Sequence, residues 1–426
     1  MNQLMRHPLA AKLLTTLLGV LIVSVPVVAA PLEVWHIWGG HREQLLNDVL
    51  AAFEAEHPGI EARQTLHGFP QHQERFIAGV LAGVVPDIMM IHSSELPGLV
   101  ETLDPFIPLD ELMARDGLDV SAWYPSEYDA GVWNGKVYGL PMRTGGDANT
   151  LVFYNGAIFE EVGLDANAFP GTWSAFAEIT RKLVRYDGDK ITRRAFVSEG
   201  ANLDMDRAAW LYAGGATLIS QDATRVTFAG PEAVRAVEFV HELSTQLYRS
   251  PQDAFVPDIL ERFAGGELAI RFIGSWGYFE AKSLNPDMDV RIALRPRLEG
   301  VPYAGVHAGT WLYMIPKGVE NVEHAWELLK WLTVEEGGAG KFMLDQARPS
   351  PIRAHNENPA YRELNPYWDV IGLALASSAP LPKSPIVPSV DLEFQKAFVA
   401  AVRGEQAVAT ALTEAARVAQ GLVHAY

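Results

Sequence analysis

Leu32-Glu33-Val34-Trp35-His36-Ile37-Trp38 alternates apolar and polar at period two and runs into Gly39-Gly40, the pattern of a strand ending in a flexible turn. The spacing then becomes helical. Leu45, Val49 and Phe53 fall on one face with Leu46 and Leu50 beside them, and His57-Pro58-Gly59 stops the helix. Ile60 to Leu66 reads as a second strand and Phe76 to Leu81 as a second helical face. Pro86-Asp87-Ile88-Met89-Met90-Ile91 is nearly continuous in apolar character, as a strand covered on both faces would be. Strand, helix, strand, helix, strand predicts an α/β unit with a mostly parallel sheet flanked by helices, and ligands bind such sheets beyond the carboxyl ends of the strands. Trp38 to His41 and His92 to Glu95 follow those ends.

Leu103 to Pro125 is rich in turn residues. Gly135 to Pro141, Arg143-Thr144-Gly145-Gly146-Asp147 and the strand-like Thr150 to Tyr154 mark a first crossing into a second unit. That unit holds a helix opened by Pro231, with Val234, Val237 and Leu243 among its apolar positions, and strands at Leu268 to Ile273 and Val290 to Leu294. Thr310 to Pro316 is strand-like again, and a helix with Ala325, Leu328, Leu329 and Leu332 follows, which reads as a return to the first unit. After the Pro-rich stretch from Pro380 to Pro388, an amphipathic helix is expected from Asp391 to Leu422 with a break near Gly404. No repeat of fixed period is present.

At 426 residues the chain is long enough for two packed domains, and 49% hydrophobic with 20% charged residues excludes a mainly disordered protein. Arg6, His7 and Lys12, the apolar run Leu13 to Val28 and Val28-Ala29-Ala30 have the order of a secretory signal cleaved after Ala30. The run is broken by Pro26 and falls short of the ~20 residues that span a bilayer. With 34 Lys and Arg against 52 Asp and Glu the net charge is -18, and losing Arg6 and Lys12 takes it to -20. Such a surface repels phosphate backbones, so nucleic acid is a poor partner. There is no cysteine, hence no disulfide, thiolate nucleophile or lipid attachment near the cleavage point, and the protein is expected free in the periplasm.

Nine segments stand in a characteristic order: Phe53-Glu54-Ala55-Glu56-His57-Pro58-Gly59-Ile60, Ala82-Gly83-Val84-Val85-Pro86-Asp87-Ile88, Gly135-Lys136-Val137-Tyr138-Gly139-Leu140-Pro141, Phe153-Tyr154-Asn155, Glu161-Val162-Gly163-Leu164, Thr172-Trp173, Gly230-Pro231-Glu232-Ala233-Val234, Phe263-Ala264-Gly265-Gly266-Glu267-Leu268-Ala269 and Ala325-Trp326-Glu327-Leu328-Leu329-Lys330-Trp331-Leu332. In these the chain resembles the family 1 extracellular solute-binding proteins, the carbohydrate-binding subunits of ABC importers. The resemblance implies a periplasmic binding protein fold of type II: residues 31–145 with 303–350 as one lobe, 146–302 with 351–426 as the other, closing on a sugar and docking on a membrane permease as a monomer. It places ligand contacts at Trp38 and Glu43, His92, Asp147, Trp276, Trp311 and Arg353. His92 stands where some disaccharide binders of the family carry an acid.

The residues support that placement in part. A pyranose needs flat aromatic faces and in-plane hydrogen-bonding groups. Trp38, Trp276 and Trp311 each lie within two residues of a glycine, and Trp210 is followed by Gly214-Gly215. Asp147 and Arg353 suit charge-assisted bonds to hydroxyls, against the plainer roles of turn cap and surface cation; Glu43 is equally a first-turn helix acid. Histidines 36, 41, 92 and 307 lack metal-ligand spacing, and no cofactor is called for. The rival functions are an exported glycosidase or lyase, which needs two carboxylates about one bond, and a two-lobed binder of iron or polyamine; Tyr154 reads as strand core rather than a ferric ligand.

Overall fold

The computed structural model describes residues 30–426 apart from 149, 198–206, 257–258, 303–304 and 308; the leader reading for residues 1–29 lies outside the described residues. The larger sheet has five strands in the order Ala62–Leu66, Leu32–His36, Ile88–His92, Trp311–Met314, Gly139–Pro141. The first three are parallel, with Trp35 opposite Thr65 and Val34 opposite Ile88. Trp311–Met314 runs antiparallel to both of its neighbours. Every residue of Ile88–His92 is buried, as the apolar run requires of a central strand. Its side chains alternate between two apolar clusters: Ile88 and Met90 join Val34, Phe53 and Trp326, while Met89 and Ile91 join Phe76, Phe106 and Leu312. Each such side chain contributes roughly 1.5–3 kcal/mol by leaving water.

The helices over that sheet follow the apolar faces. His41–Glu56 buries Leu45, Leu46, Val49, Leu50 and Phe53 and ends where His57 caps it. Val322–Thr333 buries Trp326, Leu328 and Leu329 behind an Asn321 side chain that accepts from His324 N–H. The turn-rich region contains a helix that the turn residues hide: Asp110–Asp116 forms, and Gly117 closes it in the left-handed region at φ 66°.

The smaller sheet places Leu151–Asn155 between Ile270–Phe272 and Val290–Leu294, antiparallel to both. It departs from the expected mostly parallel arrangement for a definite reason. Ile270–Phe272 and Val290–Leu294 run the same way, with helix Trp276–Leu284 between them, so the strand-helix-strand alternation holds. Leu151–Asn155 arrives directly from the other lobe and enters between them from the opposite end, as Trp311–Met314 does in the larger sheet. Val152 and Tyr154 face one core with Phe176, Phe196 and Phe272, and Leu151 and Phe153 face another with Ile292, Tyr361 and Ile371. The C-terminal pattern resolves into two helices, Val387–Val402 and Val408–Ala425, separated at Gly404 with φ 72°. Among the described residues no helix is long and apolar enough to cross a membrane.

Candidate functional site

Two crossings meet at Glu127. Glu127, almost fully buried, accepts hydrogen bonds from Gly145 N–H at 2.9 Å and Gly146 N–H at 3.0 Å. His307 on the second crossing places Nε2 3.0 Å from the same carboxylate, while its Nδ1 accepts from Gly309 N–H at 3.3 Å. That acceptance leaves the ring proton on Nε2, toward Glu127. Burial alone would lower the His307 pKa; the charge and hydrogen bond of Glu127 outweigh it, and the net shift is upward. Glycine is required here by close approach: a Cβ at Gly145 would lie 2.1 Å from the Gly309 carbonyl oxygen, and one at Gly146 2.2 Å from Ser378 Oγ.

Asp147 links the crossing to the second lobe. Its carboxylate is wholly buried, with Oδ1 accepting from the Thr144 hydroxyl at 2.8 Å and Oδ2 from Ser275 N–H at 2.8 Å. Ser275 precedes helix Trp276–Leu284, so this bond sets where Trp276 begins. The indole folds back over Gly274, where an added Cβ would sit 1.8 Å from the ring. Trp276 is half-buried, and two guanidinium groups approach it, Arg348 at 5.0 Å and Arg143 at 5.8 Å from the ring centre. A cavity of about 260 Å³ opens beside it, lined by Gly39, His41 and Arg42 from one lobe and by Trp276, Phe279 and Glu280 from the other, with Gln346 and Arg348 also in its wall. Arg42 reaches Glu280 at 3.4 Å and the His41 ring stacks on Phe279 at 5.2 Å, so the lobes touch across the cavity.

His92 and Trp311 stand together. They are opposite each other in the strand register, their rings 5.1 Å apart edge to face, and His92 Nδ1 lies 2.7 Å from Ser94 Oγ. Trp38 is buried, stacked on Phe342 at 5.5 Å with an 8° interplanar angle, and Arg42 lies 5.9 Å from its ring. Glu43 is in the first turn of His41–Glu56 and accepts from Gln64 Nε2 at 3.2 Å. Two expected contacts lie elsewhere. Trp210 is 4% exposed and packs among Phe176, Phe196, Phe239 and Phe272 in the second lobe, because its short helix Ala208–Ala213 is covered on all sides. Arg353 is exposed, its guanidinium 5.5 Å above the Tyr124 ring, because the chain has already passed the cavity when it reaches the turn Arg353–Glu357. The arginine at the cavity is Arg348, 2% exposed, whose pKa is pushed down to about 9 by burial first and by the nearby Arg143 charge second. Sequence reasoning placed His41 in the strand-end turn but gave it no ligand contact, and passed over Arg348, Arg42 and Phe279; only the place of the last two, beside that turn and after the Gly-Ser-Trp run, pointed to them.

Among the described residues no three His, Asp or Glu side chains come together as a metal site would require. His36 faces Gln64, and His41, His92 and His307 are engaged separately as above.

Residues 39–339 match the family model for bacterial extracellular solute-binding proteins. The chain is 21% identical over 371 residues to the sn-glycerol-3-phosphate-binding periplasmic protein UgpB of Pectobacterium atrosepticum, covering 83% of this chain and 81% of that one. Among solved structures it is similar to an ABC transporter solute-binding protein of Thermotoga lettingae bound with alpha-D-tagatose, at 22% identity and TM-score 0.76 over 92% of this chain and 99% of the other. Maltose-bound MalE3 of T. maritima superposes with TM-score 0.78 at 20% identity, over 92% and 99% of the two chains.

Proposed function

Because the chain belongs to the bacterial extracellular solute-binding protein family, we propose that it captures a carbohydrate or polyol between its two lobes and hands it unchanged to an ABC permease. The observation that carries this reading is the cavity of about 260 Å³ walled by both lobes, with the indole of Trp276 and hydrogen-bonding side chains in its lining. An apolar ring face and in-plane donors are what a sugar's C–H face and hydroxyl rim require. His92 and Trp311 extend the polar and aromatic surface at the carboxyl end of the larger sheet. The ligands named for the relatives, tagatose, maltose and glycerol 3-phosphate, support the same class.

Groups from both lobes gain contact only when the lobes are together, so ligand shifts the population toward closure. The crossings near Arg143 to Asp147 and Tyr303 to Thr310 serve as the hinges of this reading, residues 303, 304 and 308 of the second lying outside the described residues, with residues 31–145 and 303–350 on one side and 146–302 and 351–426 on the other. Export through a leader cleaved after Ala30, action as a monomer and absence of catalysis belong to the same proposal. A thermal-shift panel of mono- and oligosaccharides, sugar acids and polyol phosphates tests it, since ligand at 100 times its dissociation constant adds ~2.7 kcal/mol of stability. Trp276→Ala is expected to melt near the parent and lose the best shift. Sustained release of new reducing ends from oligosaccharides, or no shift with any carbohydrate or polyol, would overturn the reading.

A further inference from the structure

The cavity is lined by a buried cation, Arg348, that forms no ion pair of its own among the described residues. Arg348 is 2% exposed, and its Nε and Nη2 have no hydrogen-bond partner among the described residues. Its guanidinium lies 5.0 Å from the centre of the Trp276 ring, at the wall of the cavity. The acids around it are already engaged. Asp147 holds Thr144 with one oxygen and Ser275 with the other, and Glu280 is paired with Arg42. Glu261 is on the rim and exposed to water. Arg143, also near the indole, adds like charge.

An unpaired buried ion is a liability for folding, because the cost of taking its charge out of water is not repaid by a partner. A neutral hydroxyl could accept a bond from Arg348 but would leave the charge uncompensated. An oxyanion supplies both the charge and the pair of acceptors that a guanidinium fork fits. We propose that the solute carries an oxyanion, a carboxylate or a phosphate ester, on a sugar or polyol, and that Arg348 receives it while the Trp276 face takes the adjoining carbon skeleton. This deepens the solute-capture reading and rests on it.

The test is calorimetric titration of the protein purified from the periplasm with matched probes: glucose, glucuronate and glucose 6-phosphate; glycerol and glycerol 3-phosphate; and inorganic phosphate alone. At least one acid is expected to bind about ten-fold or more tightly than its neutral parent, and Arg348→Met to erase that advantage. Which acid it is separates carboxylate from phosphate ester. Melting of the ligand-free proteins is the second readout: Arg348→Met melts higher than the parent if Arg348 is held for a ligand, and lower if it is a structural tie. A lower melting point, or neutral probes that bind as well as their acids, overturns the inference and leaves solute capture standing. Inorganic phosphate binding as tightly as the esters overturns the sugar or polyol part. Failure of every probe counts against capture itself, while the melting comparison still decides the role of Arg348.

Discussion

Replacing Asp147 with alanine tests whether that carboxylate is a structural tie between the lobes. Asp147 is wholly buried, and each oxygen accepts one bond at 2.8 Å, from Thr144 Oγ1 and from Ser275 N–H. Both donors are themselves buried. Truncation orphans the two of them at about 1–3 kcal/mol each, so the loss is about 2–6 kcal/mol. For a lobe of this size that corresponds to a fall in melting temperature of roughly 5–20 °C. The buried Arg348 loses a nearby opposite charge in the same step, which acts in the same direction. The assay is thermal and urea unfolding of ligand-free protein, so no assumption about the ligand enters. Thr144→Val, which removes one donor and keeps the shape, is expected to return part of the loss when combined with Asp147→Ala. A ligand-free Asp147→Ala protein within about 0.5 kcal/mol of the parent, the range of ordinary surface changes, would refute the tie and return Asp147 to the role of ligand contact.

The Glu127–His307 pair makes stability at the crossings pH-dependent. Because the folded His307 pKa is raised, the contribution of the pair is fully present below the ordinary histidine value of about 6.5 and is lost as pH rises through the raised value. The difference in melting temperature between parent and Glu127→Gln should therefore be largest on the acid side and shrink on the alkaline side; a constant difference would count against the pairing. Trp210→Ala is expected to cost about 3–5 kcal/mol in urea unfolding as a core cavity, with ligand affinity of the folded protein unchanged. A ten-fold loss of affinity with little loss of stability would put Trp210 back at the ligand.

Short-range pattern and long-range placement separate cleanly in this chain. Ile88–His92 is readable because burial on both faces writes an unbroken apolar run, and His41–Glu56 because its buried residues recur at helical spacing. The antiparallel entry of Leu151–Asn155 is not written in its own residues; it follows from the chain arriving out of the other lobe. Trp210 and Trp276 both sit near glycine. What distinguishes them is that the first is enclosed by helix Pro231–Leu247 and its own aromatic neighbours, whereas the second opens a helix at the lobe boundary. Arg348 and Arg353 flank Pro349-Ser350-Pro351, a run without periodicity, so nothing local says which of them turns inward.

The contacts of Arg42 with Glu280 and of His41 with Phe279 act as a weak latch. The ion pair is about one-third exposed on each side, so it is worth at most about 1 kcal/mol and is screened by salt. In a protein whose lobes part along this cavity, such a latch gives the empty molecule a slight standing preference for the shut form. Apparent affinity for charged and neutral solutes alike then includes a factor of up to about five that vanishes at high ionic strength or in Glu280→Gln. Uptake in a dilute, low-salt environment gains the most from it.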